Sequence, residues 1–334
     1  MTQNPSNTAV VLFQLGGPDS LDAVEPFLYN LFRDPDIIDL PGAFLFRRLL
    51  ARMISSRRAP KVQELYKRIG GRSPILKQTR LQAERLKDSL ARHNVRASVH
   101  IAMRYWHPMT AATAKEIAGE QPKSIVLLPL YPHFSKTTTG SSLNEWNRAV
   151  KKLQCENLHA VLIEHYFDHP LYVEALVEHI TRALHRLPEP EREKIHLVFS
   201  AHGTPMKLVK DGDPYSHHIR KTYELVIEKG NFGLEHTLCF QSKVGPQQWL
   251  KPSLVETIER LASEKTSHVL VIPIAFVSDH IETLSEINME AKAYAKKLGI
   301  RYFDMMPALL MNEKFVACLT DLVLQKLKTK ELKK

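Results

Sequence analysis

Four carboxylates and a histidine follow an apolar stretch near the carboxyl end of the sequence. The apolar stretch, residues 271–278, has the composition of a buried strand. In a helix, positions three, four and seven apart lie on one face, so a helix after this strand would place the carboxylates on one stripe. Like charges at i,i+4 cost about 0.2–0.5 kcal/mol per pair. We therefore predict that this stripe holds a cation or stores protons. The four carboxylates are Asp279, Glu282, Glu286 and Glu290.

Two histidines stand at the ends of predicted strands and titrate near neutral pH. His280 lies among the carboxylates, and His202 follows the apolar segment 197–201. The ligand site of a parallel sheet lies at the carboxyl ends of its strands, so we predict that both histidines belong to one active site. A neutral imidazole beside carboxylates accepts a proton and passes it on. Taken alone, the segment around His202 is equally consistent with a hydrogen-bonded loop histidine.

The predicted site contains no thiol, and the chain contains no GxSxG nucleophile motif. Oxygen and nitrogen ligands bind a divalent first-row metal more weakly than thiolates do. Such ligands suit a site that releases a metal ion rather than keeping it.

Two further groups of side chains offer contacts for a ligand. Arg58, Tyr66 and Ser73 supply donors for a carboxylate, with a charged helix face as the alternative. Arg104 and Tyr105 follow a predicted strand and suit a flat aromatic ligand or ordinary packing.

Two loops resemble nucleotide-binding loops without completing the motif. The loop at Gly16–Ser20 lacks the later glycines of GxGxxG. The segment Thr137–Ser142 places hydroxyls at a predicted helix start, which indicates either an anion site or simple capping. No Walker lysine follows its glycine, so a nucleotide P-loop is excluded.

Composition describes an ordinary globular protein that is large enough for more than one domain. The 334 residues are 44% hydrophobic and 25% charged, and the net charge is +10. The positive charge makes nucleic acid and anionic membrane candidate partners. The amino terminus has no secretory signal pattern, and no apolar run reaches the length of a membrane span, so we expect a cytoplasmic protein.

The segment 37–58 combines bulky apolar residues with five arginines. A basic amphipathic helix of this kind either lies at a membrane interface or packs its apolar face into the core. The sequence leaves both possibilities open.

Short β-rich runs alternate with helical patterns along the whole chain. This alternation predicts an α/β fold with parallel sheets flanked by helices, and the seven or eight strands form two groups. We place the break near Lys151–Asn157. The strand candidates are Ala9–Leu15, Ser98–Met103, Ser124–Pro129, His159–Glu164, Ile195–Ser200, His236–Gln241 and His268–Ile274.

In motif content and order the chain resembles the ferrochelatase family nearly from end to end. The resemblance implies insertion of Fe²⁺ into protoporphyrin IX, which gives protohaem and two protons in the last step of haem biosynthesis. It also implies two Rossmann-like halves of the chelatase type, with the porphyrin cleft between them. The matching segments are Leu15–Ser20, Arg58–Gln63, Tyr66–Pro74, Arg104–Pro108, Leu128–Pro132, Thr137–Ser142, Phe199–Gly203, Gly212–Tyr215, Phe240–Pro246 and Phe276–Glu286.

The resemblance also assigns roles and domain bounds. It implies that His202 and Glu282 are catalytic, and that both contact iron together with Glu286. It implies an amino-terminal domain over 1–150, a second domain over 151–305, and a helix within 306–334 that packs back on the first domain. The residues expected to contact porphyrin are Leu15, Arg58, Tyr66, Ser73, Arg104, Tyr105 and His280.

The cysteine content and Leu15 distinguish this chain within the family it resembles. A [2Fe–2S] cluster takes four cysteines, and the chain has three, far apart, so we expect no cluster and no permanently bound cofactor. Leu15 stands where the branch that uses coproporphyrin has tyrosine, which favours protoporphyrin IX. The family's apolar lip matches residues 37–54, which favours peripheral contact with an anionic inner membrane, and we expect no nucleic-acid partner.

Other functions remain open from the sequence alone. One is a chelatase for another substrate, such as coproporphyrin III or cobalt. Another is a non-catalytic porphyrin or haem carrier, which needs a binding cleft but no proton acceptor.

Overall fold

The chain folds into two compact units, each with its own sheet. The computed structural model describes residues 8–37, 43–155, 158–242 and 247–331. The first unit comprises Met1–His165 and Phe315–Lys334, and the second comprises Tyr166–Lys314. Each unit contains a four-stranded sheet in which all pairs of neighbouring strands are parallel. The prediction of an α/β fold with two parallel sheets flanked by helices is confirmed.

The first sheet is built on strands that are apolar along their length, since a parallel sheet flanked by helices is buried on both faces. Its central strand, residues 8–14, is buried at every position. The elements up to His165 are β1 (Thr8–Gln14), α1 (Val24–Phe32), α2 (Ala43–Arg68), α3 (Ile75–Arg92), β2 (Ala97–Met103), α4 (Thr110–Glu120), β3 (Ser124–Pro129), a π-helix (Lys136–Gly140), α5 (Ser141–Lys152) and β4 (Ala160–Leu162).

The second sheet follows the same logic, and its strands at 195–202 and 268–273 are almost entirely buried. Its elements are α6 (Pro170–Leu184), α7 (Glu189–Arg192), β5 (Ile195–His202), α8 (Met206–Lys210), α9 (Tyr215–Gly230), β6 (His236–Gln241), α10 (Leu254–Ser263), β7 (His268–Pro273), a second π-helix (Glu282–Ala291), α11 (Lys292–Lys297) and β8 (Tyr302–Met305).

The two sheets share one topology. Their strand orders are β2-β1-β3-β4 and β6-β5-β7-β8. In each sheet the chain first crosses to one side of the starting strand and then to the other. Ligands of open parallel sheets bind outside the strand ends at this reversal. The topology therefore points to the carboxyl ends of β5 and β7 in the second unit, where His202 and the carboxylate segment lie.

The last helix, α12 (Glu313–Glu331), lies almost wholly in the first unit. There Thr320 Oγ1 donates a hydrogen bond of 2.9 Å to Ser89 Oγ on α3, and both residues are buried. This helix falls within the segment 306–334 that the resemblance marked as packing back on the first domain.

The observed division differs from the expected domain bounds in position. The strand at Ala160–Leu162 pairs with β3 and so belongs to the first sheet. The first unit therefore runs to His165 rather than to residue 150. The strand β8 was not among the predicted strands, because a run of four residues is too short for a clear periodic signal.

Candidate active site

His202 is the last residue of β5, and its ring reaches Glu282 at the start of the second π-helix. The Nδ1 atom of His202 lies 2.7 Å from Oε2 of Glu282. A carboxylate only accepts hydrogen bonds, so Nδ1 carries a proton, and in the neutral imidazole Nε2 keeps its lone pair. The His202 side chain is 39% exposed, against 19% for Glu282. An incoming group can therefore approach this imidazole, while Glu282 orients it from behind.

Gly203 allows the end of β5 to approach its neighbour closely. Its backbone N–H donates to the carbonyl of Gln241 at 2.7 Å. A Cβ atom at this position would lie 2.8 Å from that carbonyl oxygen, which is closer than side chains tolerate. The glycine after the histidine is thus required by packing between β5 and β6.

The carboxylate segment forms a π-helix, in which hydrogen bonds run from i to i+5. Glu282 and Glu286 converge on the hydroxyl of Ser242, which lies 3.5 Å from Oε2 of Glu282 and 2.5 Å from Oε2 of Glu286. Asp279 instead accepts a hydrogen bond from Thr283 at 3.1 Å, and Glu290 is exposed. The single stripe of four carboxylates expected for a regular α-helix is therefore wrong. Two of the four meet at a shared hydroxyl.

His280 stands next to this pair and is buried. Its Nε2 atom lies 3.7 Å from Oε1 of Glu282. The centre of its ring lies 4.7 Å from the centre of the Phe276 ring. Among the described residues its Nδ1 atom has no hydrogen-bond partner. Glu282 consequently has one imidazole near each of its carboxylate oxygens.

The electrostatics of the pair follow from its geometry. Burial alone would raise the pKa of Glu282, but the charge and hydrogen bond of His202, with help from His280, hold it well below its ordinary value. Burial opposes protonation of His202, yet the two carboxylates raise its pKa above the ordinary histidine value. Burial and the neighbouring Glu282 raise the pKa of Glu286 to about 7. The site thus combines a charged carboxylate with one that exchanges protons near neutral pH.

Buried tyrosine completes this part of the second unit. Tyr215, at the start of α9, has its pKa raised by burial and by the charges of Glu282 and Asp213. Its backbone N–H donates to Oδ1 of Asp213 at 2.9 Å. The phenol therefore stays neutral beside the carboxylate of Glu282.

A second polar cluster closes the carboxyl edge of the first sheet around Asp34. Its Oδ2 atom lies 2.9 Å from a guanidinium nitrogen of Arg104 and accepts hydrogen bonds from Tyr105 (2.6 Å) and Ser141 (2.5 Å). Burial alone would raise the pKa of Asp34, but Arg104 and the two hydroxyls hold it below its usual value. Ser141 is the first residue of α5, so the helix start that suggested an external anion is occupied by the carboxylate of Asp34.

Comparison with known proteins identifies the family. Residues 7–327 match the family model described as Ferrochelatase. The chain is 44% identical to a ferrochelatase of Aquifex aeolicus, over 94% of this chain and 97% of that protein. It is 45% identical to a ferrochelatase of Geotalea daltonii, over 95% of this chain and 97% of that protein. The chain belongs to the ferrochelatase family. It is a metal chelatase that inserts iron into a porphyrin in haem biosynthesis.

Solved structures agree on the fold. A structure of SirB from Bacillus subtilis with Fe³⁺ matches with a TM-score of 0.54 and 13% sequence identity, over 95% of this chain and 94% of that one. At this identity the likeness supports the chelatase-like fold alone.

The ferrochelatase residues expected to contact porphyrin occupy different environments. Leu15 follows β1 and is half-buried. Ser73 packs against Gly17 in the next loop, where an added Cβ atom would lie 2.5 Å from Ser73 Oγ. Tyr66 and Tyr105 are buried, at 2% and 0% exposure. These assignments stay predictions, and Tyr105 in addition has a hydrogen-bonding role within the Asp34 cluster.

Two of the expected porphyrin contacts are arginines. Arg58 is exposed on α2, with its guanidinium 5.5 Å from the centre of the Phe32 ring. Arg104 is 8% exposed and engaged with Asp34 and Ser141, to whose Oγ its Nε donates at 2.8 Å. Of the two, Arg58 is the one whose side chain an incoming carboxylate can reach.

The predicted iron ligands are brought together only in part. Within the described part of the chain, His202, Glu282 and Glu286 do not gather their ligand atoms within 4.8 Å of one another; the group that does so is His100, Glu116 and Glu120 on the first unit. There the two ring nitrogens of His100 lie 3.4 Å and 3.2 Å from different carboxylates, and Glu116 is 63% exposed. In that group each ring nitrogen of His100 already has a carboxylate neighbour.

Three contributors to the site were not singled out from the sequence. Ser242, Gln241 and Tyr215 each lie in a segment that carries the family resemblance, at 240–246 or 212–215. The family resemblance therefore marked these segments. The roles of the three residues could be assigned only from the pairing of β5 with β6 and from the geometry of the π-helix.

Proposed function

We propose that this ferrochelatase inserts Fe²⁺ into protoporphyrin IX, with His202 accepting a pyrrole proton. The observation that carries the proposal is the 2.7 Å contact between His202 Nδ1 and Glu282, which leaves Nε2 of this part-exposed side chain available as the proton acceptor. Iron replaces two pyrrole N–H protons, so one Fe–porphyrin and two protons are formed. Glu282 stabilises the imidazolium that results from the first transfer.

Glu286 suits the next step of proton removal. Its pKa of about 7 allows it to take up and release a proton near neutral pH. Ser242 bridges it to Glu282, and a hydroxyl both donates and accepts. In this proposal protons leave from His202 through Glu282 and Glu286.

The same three side chains are also the proposed contacts for Fe²⁺ as a substrate. Nitrogen and oxygen donors without thiolate hold iron weakly enough to release it to the porphyrin. We infer no resident cofactor, since three cysteines cannot supply the four ligands of a [2Fe–2S] cluster.

The porphyrin preference is tested by an anaerobic absorbance assay with Fe²⁺ and either protoporphyrin IX or coproporphyrin III. The parent protein is expected to prefer protoporphyrin IX. In Leu15→Tyr the rate ratio is expected to move toward coproporphyrin III by about 10–200-fold, the range for a small change in a binding pocket. Faster turnover of coproporphyrin III by the parent would reject the preference, and no metalloporphyrin bands with either porphyrin would reject the activity.

A docking role for α2 is supported by its exposed side chains. Phe46, Leu49 and Met53 are 66%, 69% and 45% exposed and recur at three- and four-residue spacing. Exposed arginines lie on the same helix, at 48, 52, 57 and 58.

Residues 38–42 of the predicted lip and the side chains of residues 43–45 lie outside the described residues. No described helix is both long enough and apolar enough to cross a membrane. We propose peripheral contact with the cytoplasmic face of an anionic membrane.

Replacing Phe46, Leu49 and Met53 together with serine is expected to abolish co-flotation with anionic liposomes. Burying a large apolar side chain contributes about 1.5–3 kcal/mol, so three losses remove most of the binding energy. The matched control replaces Val255, Leu298 and Met311, which are exposed apolar residues of the second unit. Flotation that survives the first triple change, or is lost equally in the control, would reject α2 as the docking element.

A further inference from the structure

Gln241 occupies the strand position directly beside His202. It ends β6, and the register of the sheet pairs it with His202 of β5. Paired residues on neighbouring strands project to the same face of a sheet. Gln241 is 5% exposed, so its side chain is enclosed by protein rather than offered to a ligand. Its contacts are therefore with the elements that build the site.

The amide of Gln241 connects β5 to the π-helix. Ser200 Oγ donates to Oε1 of Gln241 at 2.8 Å, and Nε2 of Gln241 donates to the main-chain carbonyl of Glu282 at 3.4 Å. Ser200 is fully buried two residues before His202. A main-chain carbonyl only accepts hydrogen bonds, so the NH₂ end of the amide faces Glu282, and the oxygen end accepts the hydrogen of Ser200.

Glu282 is consequently held at two points by a pair of neighbouring strand residues. His202 binds its carboxylate, and Gln241 binds its carbonyl. A side-chain contact alone leaves the backbone of the π-helix free to shift, whereas a second contact on the main chain fixes the residue against the strand ends. Reactive groups need to be held in such a narrow geometry.

We propose that Gln241, oriented by Ser200, is a positioning residue that sets the hydrogen bond between His202 and Glu282. The inference rests on the proposed role of that pair in iron insertion. It deepens the proposal by naming the side chains that hold the pair in register.

Gln241→Met removes the amide and keeps the length of the side chain. With the carbonyl of Glu282 released, the bond to His202 lengthens and the imidazolium loses stabilisation. A crystal structure of the variant is expected to show Glu282 displaced and its contact with Nδ1 of His202 longer than 2.7 Å. Insertion is expected to slow by about 10–100-fold, as when a supporting hydrogen bond is removed, with the KM for porphyrin unchanged.

Ser200 supplies the second pair of variants. Ser200→Ala is expected to lengthen the same contact and to slow insertion, and Ser200→Thr, which keeps the hydroxyl, is expected to restore both. The matched control is Thr222→Val, which removes a buried hydrogen bond of 2.7 Å to the carbonyl of Phe167, away from the pair. The control loses stability without altering the contact between His202 and Glu282.

An unchanged contact between His202 and Glu282 in folded Gln241→Met overturns the proposal. If that variant does not fold, an unchanged contact in Ser200→Ala overturns it instead. The structures need neither iron nor porphyrin. A lengthened contact together with unaltered insertion kinetics would therefore support the positioning role and reject the catalytic role of the pair.

Discussion

Iron insertion by His202→Ala is expected to fall by about 10²–10⁴-fold, the usual contribution of a positioned proton acceptor. Porphyrin binding is expected to survive, because the change removes one part-exposed imidazole and leaves the other predicted porphyrin contacts in place. Initial rates of metalloporphyrin formation under anaerobic conditions measure the first effect. Quenching of protein fluorescence on porphyrin addition measures the second.

The control for this variant is His196→Ala on the same strand. His196 lies near the opposite end of β5, is 8% exposed, and bonds through Nε2 to Thr237 at 2.8 Å. Both variants lose an imidazole from β5, but His196 does not contact Glu282, so the folded fraction of His196→Ala is expected to turn over normally. Normal turnover in His202→Ala would remove the proton-acceptor role of this residue.

The sequence predicts the strands that deliver the site because their signals are local. Residues 197–199 and 269–272 are short apolar runs flanked by polar residues or proline, which is typical of strands buried on both faces. The strand ends then place His202 and the carboxylates at one sheet edge. The shared topology of the two sheets has no such local signal, since it depends on crossover order.

The local geometry of the site was less accessible to sequence reasoning. A π-helix and an α-helix carry similar amino-acid patterns, so the convergence of Glu282 and Glu286 on Ser242 required the structure. An aromatic residue beside a cation is equally consistent with a ligand site and with packing. For Tyr105, full burial and the bond to Asp34 assign a structural role that the pattern left open.

Glu282→Gln is expected to slow iron insertion by about 10²–10⁴-fold and to change its pH dependence. The carboxylate raises the pKa of His202 by favouring the imidazolium. A neutral amide removes that effect, so the pKa of His202 falls. Because His202 must be neutral to accept a proton, the acid limb of the kcat profile moves to lower pH while the maximum rate drops. An unaltered acid limb would show that Glu282 does not act through His202, and a raised KM for Fe²⁺ with kcat unchanged would assign it to metal binding.

The same substitution has a signature in stability. The depressed pKa of Glu282 contributes stability that is present above its unfolded value, near 4.5, and is lost as pH falls through the folded pKa. The raised pKa of His202 contributes stability that is present below 6.5 and is lost as pH rises through the folded pKa. The ion pair therefore stabilises the fold most between these two values. Urea unfolding across this range is expected to show that pH-dependent stability in the parent and its loss in Glu282→Gln. Parallel stability profiles would mean that the two side chains are not an ion pair in solution.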